Sequence, residues 1–171
     1  LGIQSLRDSK GNDNIAIGAG AGADLRGDFN LALGTASGRG IAATTANPEP
    51  APTNYNTSIG LATVARGGHA VAIGAGIDTG SNYRNGATAT GEGSVAIGSN
   101  ITSGASANGT HAIALGAESL ADKAGSLAIG YSSRATGVNA TAAGPLAAAT
   151  GTASIAMGYQ AQANGANTIS I

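Results

Sequence analysis

Gly93-Ser94-Val95-Ala96-Ile97-Gly98 is a stretch that recurs, with small changes, along the whole chain. Large-small-large-Gly copies end at Gly18, Gly34, Gly74, Gly98, Gly116, Gly130 and Gly158. Weaker copies end at Gly60 and Gly144, and a last one is Ile169-Ser170-Ile171. The closing glycines at 116, 130, 144 and 158 are spaced 14 residues apart, as are Gly60 and Gly74. A short fixed period makes each copy one rung of a stacked array.

Positions within a rung are counted here from the closing glycine. Positions −3 and −1 hold mostly Ile, Leu and Val, and the residue between them is Ala in eight of ten copies and Ser in the other two. Period two predicts a short β-strand with one bulky and one small face. A second alternation places small residues at +3 and +5, as in Ser119 and Ala121, Ser133 and Ala135, Ala147 and Ala149. Each rung therefore reads strand, tight turn, short strand, tight turn. About ten rungs stacked in parallel near 4.8 Å give an all-β roll, a solenoid roughly 45–50 Å long. The bulky −3 and −1 residues are expected to point inward, against the small residues of the second strand. The central alanines then form an outer stripe, which makes Ala72, Ala96, Ala114, Ala128 and Ala156 the expected contacts of a homotrimer. The opposite assignment, with the bulky residues at an oligomer axis, stays open.

Composition fits such an array. The 171 residues include 29 Gly, one Phe, no Trp and no Cys, and only 10% are charged. With so few large side chains, a thick single core is out of reach, and small residues must be buried in thin layers or against further copies. A net charge of −1, with its basic residues scattered, argues against a nucleic-acid partner. No apolar run is long enough to span a membrane as a helix.

The Gly-Ser-Val-Ala-Ile-Gly phrase, the 14-residue period and the trailing small-x-small-x-Gly resemble the head domains of trimeric autotransporter adhesins, the YadA-like heads. That resemblance covers nearly all of residues 1–171 as a single head domain. It implies a left-handed parallel β-roll in a homotrimer, displayed on the outer membrane at the surface of a Gram-negative bacterium. It also implies attachment to host cells or matrix proteins such as collagen, fibronectin or laminin. The family's signal peptide, neck, stalk and anchor are not in this sequence, so it is read as a head fragment.

The period breaks near 24–28, 41–56, 77–90 and 99–110, and inserts in a solenoid are expected to be extruded on one face. The distinctive side chains there, Glu49, Tyr55, Asp78, Tyr83 and Arg84, are the candidate ligand contacts. Neutral surface decoration is the plainer reading of the same loops. Arg26-Gly27-Asp28 is the tripeptide that integrins recognise, expected on a rung-edge loop, although bacterial chains often carry it unused.

No catalytic constellation can be assembled from these spacings, and no cofactor or metal site is expected. Gly18-Ala19-Gly20-Ala21-Gly22 lacks the helix that a phosphate cradle needs. His69 and His111 share position −5 of their rungs and read as solvated turn residues. Tyr131 and Tyr159 share position +1 and read as turn covers. The expected function is an adhesive rod, and the competing one is a structural spacer with its binding site elsewhere.

Overall fold

The computed structural model describes residues 2–39, 53–78, 83–84 and 86–171. Glu49 lies outside them. The ten phrases form one parallel sheet in chain order, from Ile15–Ile17 through Leu31–Leu33 and Thr57–Ile59 to Ile169–Ser170. Register is exact: Val95 pairs with Ile113, Ala96 with Ala114 and Ile97 with Leu115, and the same rule holds from rung to rung. A second parallel sheet has seven strands, from Val64–Ala65 to Gln162–Ala163, which fall at +4 and +5 in the uninterrupted rungs and later in the rungs that carry Thr88–Ala89 and Ser106–Ala107. The chain is a two-sheet parallel solenoid with no helix among the described residues.

The expected orientation of the first sheet is reversed. Ala72, Ala96, Ala114, Ala128 and Ala156 are all 0% exposed within a single chain, so they are core residues and cannot be contacts to another copy. The bulky neighbours face outward, with Ile15 57% and Ile17 52% exposed. The cause is the thinness of the coil. The +3 and +5 residues do point inward as expected, and the first sheet lies so close that only Ala, Ser or Thr fits opposite. The largest fully buried side chain is Thr63, followed by serines.

Two backbone devices keep the rungs close. A β-carbon on Gly116, whose φ is +124°, would sit 2.7 Å from the carbonyl oxygen of Gly130 one rung on. Glycine is therefore required by contact as well as by conformation. The buried serines bond back into their own turns, Ser119 Oγ to the Gly116 carbonyl at 2.7 Å and Ser133 Oγ to that of Gly130 at 3.0 Å. Such local bonds satisfy turn carbonyls that the sheets leave free.

The first rungs differ from the rest. From Gly2 to Gly18 and from Gly18 to Gly34 the coil has 16 residues, and no second strand forms. In its place Gln4, Leu6 and Asp8, then Gly20, Gly22 and Asp24, then Ala36 and Gly38 take positive φ between 53° and 64°. The two extra residues are absorbed in this series of tight turns and are not extruded. The inserts are also narrower than their expected limits. Asn56 is buried in the rung, and Thr88–Ala89 and Ser106–Ala107 are regular strands of the second sheet. A broken period reports the number of extra residues and leaves their position undetermined.

Candidate ligand-binding edge

The edge of the rod where the second sheet turns back to the first carries most of the aromatic rings. Asn14, Asn30 and Asn56 occupy position −4 and form an amide ladder through successive rungs. Asn30 Nδ2 donates to Asn14 Oδ1 at 3.0 Å, and Asn56 Nδ2 donates to Asn30 Oδ1 at 2.9 Å. The same oxygens accept the backbone N–H of Asn30 and Asn56, each at 2.9 Å. Asn56 Oδ1 ends the ladder by accepting from the N–H of Gly68 at 3.0 Å. These bonds fix the turn before the first-sheet strand.

Position −5 stands just outside that ladder and is left-handed in every described rung. Phe29, Tyr55, His69 and His111 there have φ of 59°, 60°, 54° and 54°. The conformation directs their side chains along one column on the surface. The Phe29 and Tyr55 rings stack at 5.2 Å with 2° between planes, and Tyr55 stacks on His69 at 4.9 Å and 19°. Position −5 of the next rung is Gly93, and the ring of His111 leans over it, with Cδ2 2.8 Å from where a β-carbon would be. Four rings thus share one edge. Phe29 is 51% and Tyr55 50% exposed, and both histidines are exposed. The faces of Phe29, Tyr55 and His69 are turned to one another and their edges to solvent, a surface suited to apolar and carbonyl groups of a partner.

Sequence reading placed His69 and His111 in this column and Tyr55 among the ligand candidates, but did not join them and missed Phe29. The signal was available, since all four stand five residues before a closing glycine. The spacing of 26 from Gly34 to Gly60 hid it.

The other candidates lie elsewhere. Ile77–Asp78 and Tyr83–Arg84 pair as a small antiparallel ribbon, Ile77 opposite Arg84 and Asp78 opposite Tyr83. It leaves the coil after the first-sheet strand, on the edge opposite the ring column. Arg26, Gly27 and Asp28 are held between the coils before and after them. The Gly27 N–H donates to the Lys10 carbonyl at 2.9 Å, and the Thr53 N–H to the Arg26 carbonyl at 3.1 Å. The Asp28 carboxylate accepts the Asn12 N–H at 2.6 Å, and Gly27 is buried. The tripeptide is a rung segment with its carboxylate engaged, and the expected exposed loop is absent. Tyr131 and Tyr159 are exposed at position +1, two rungs apart with Pro145 between.

Four segments, residues 85–100, 103–119, 121–147 and 149–171, match the YadA head domain repeat. This is a YadA-like head. The crystal structure of the collagen-binding domain of Yersinia adhesin YadA aligns with it at a TM-score of 0.52 and 20% identity, covering 94% of this chain and 68% of that one. At that identity the likeness concerns the fold. Comparison with curated proteins gave no match. The ring column of Phe29, Tyr55 and His69 precedes the segments that match the head repeat.

Proposed function

We propose that this head belongs to a bacterial surface adhesin of the trimeric autotransporter type and attaches the cell to host matrix. The observation that carries the reading is the exposed ring column, which stands on the same two-sheet solenoid as the YadA head repeats. Small buried residues build the rod, and the large side chains are left outside, where a partner can reach them. A homotrimer would cover the bulky face of the first sheet and present three ring columns, raising apparent affinity for a repetitive partner. Collagen is the first partner to test, because a collagen-binding domain shares the fold. Fibronectin and laminin are the next.

The test is binding of the purified head to immobilised collagen, fibronectin and laminin. Phe29→Asn and Tyr55→Asn are suitable variants, since Asn139 and Asn167 already occupy the same left-handed position in other rungs. The double variant is expected to keep its melting temperature and to bind at least tenfold more weakly. Unchanged binding by that variant, with loss on replacing residues 79–82 by a short link, would move the site to the insert that carries Asp78, Tyr83 and Arg84. A head that binds none of the three would be a spacer.

A further inference from the structure

A cleft of about 260 Å³ opens on the widened first rungs, away from the ring column. Arg7, Ala23 and Arg39 occupy the same position of three successive coils, five residues after Gly2, Gly18 and Gly34. Two rungs separate the arginines, about 10 Å along the rod. The residue between them is alanine, so a gap is left where a third long side chain would lie. Ala23 and Ala36 form a buried apolar floor, and exposed Ile3 and Ala19 stand at the rim.

The charge at this cleft is positive and incompletely used. Arg7 contacts Gln4 at 3.3 Å and Asp8 at 3.4 Å, both at the surface, where such pairs hold weakly. The guanidinium of Arg39 makes no ion pair or hydrogen bond among the described residues. Arg66 lies beside it, its Nε bonded to the Arg39 carbonyl at 3.0 Å. Burial first, and then the neighbouring Arg39 charge, lower the pKa of Arg66. The exposed guanidinium of Arg39, at the edge of the alanine floor, favours an incoming anion.

We propose that the Arg7–Arg39 cleft binds an oxyanion, sulfate or carboxylate, carried on a sugar ring. Guanidinium groups grip planar and tetrahedral oxyanions through paired N–H donors. The alanine floor suits the apolar face of a pyranose. An acidic glycan repeats its charges along a chain and so could engage equivalent clefts of more than one copy. This site is independent of the matrix-binding reading above, and either can fail without the other.

The experiment titrates the whole head at low salt with a sulfated oligosaccharide, its desulfated uronate form and inorganic sulfate. Binding is followed by calorimetry with wild type, the double variant Arg7→Gln/Arg39→Gln, and Arg134→Gln on the exposed face of the second sheet as a control. The double variant is expected to lose at least tenfold in affinity for the acidic oligosaccharides, and the control to be unchanged. Preference for the sulfated over the desulfated form identifies sulfate as the anion, and the reverse identifies carboxylate. Equal loss in the Arg134 variant, undiminished binding by the double variant, or tighter binding of inorganic sulfate than of either sugar would overturn the proposal. Because all three residues are surface arginines, a melting curve for each variant separates lost binding from lost fold.

Discussion

At the scale of single residues, size decides which positions accept change. The closing glycines show this most sharply. An alanine at Gly130, with φ of +123°, would put its β-carbon 2.7 Å from the backbone of Gly144. Gly130→Ala is expected to cost about 3 kcal/mol or more, because backbone strain and backbone collision act together. Thermal unfolding measures it, and a drop of only a degree or two would mean that neighbouring rungs slide apart easily. Ala128 is the second case. It is fully buried between sheets whose core is alanine and serine. Ala128→Leu adds three carbons where nothing can yield, so destabilisation beyond the usual 1–3 kcal/mol of overpacking is expected. Arg134→Leu, on the exposed face of the second sheet, is expected to leave the melting temperature nearly unchanged.

At the scale of elements, the two strands per rung and their parallel register were legible in the sequence. They follow from a period, and a period survives any choice of inside and outside. The choice itself was not legible. Alternation of Val95, Ala96 and Ile97 says that two faces differ, and the buried one is fixed by the distance between sheets, which a pattern along one strand does not contain. The ring column was hidden differently. Phe29, Tyr55 and His69 are far apart in sequence and meet only because an insert between Gly34 and Gly60 leaves the rungs on either side in register. The same reasoning predicts what loop surgery does. Replacing residues 79–82 with a Gly-Gly link should change stability by less than about 0.5 kcal/mol, since the flanking Asp78 and Tyr83 are already paired. Removing 77–90 entire takes out Thr88–Ala89, which bridges Val64–Ala65 and Ser106–Ala107, and should unfold the second sheet locally. Comparable melting temperatures for the two deletions would show that this strand contributes nothing.

At the scale of the whole molecule, the reversed first sheet changes which face a second copy would meet. A stripe of alanine would have allowed close backbone approach. The face actually presented carries Ile15, Ile17, Ile97, Ile113, Ile129, Met157 and Ile169 to solvent, along ten strands of one flat sheet. Burying one such side chain contributes about 1.5–3 kcal/mol, so an apolar face of this length is the first candidate for a contact between copies. The proposed trimer covers it with the same face of two more copies. Assembly and folding should therefore separate by mutation within one tripeptide. Ile129→Asp places a charge on the outer face and leaves the core untouched, so the chain should keep its β circular dichroism while sedimenting as a monomer at micromolar concentration. Ala128→Leu, one residue earlier, should instead lower the melting temperature of whatever species forms. If Ile129→Asp sediments as wild type does, the bulky face is not the interface, and the ring column or the Tyr131–Tyr159 edge becomes the surface through which copies meet.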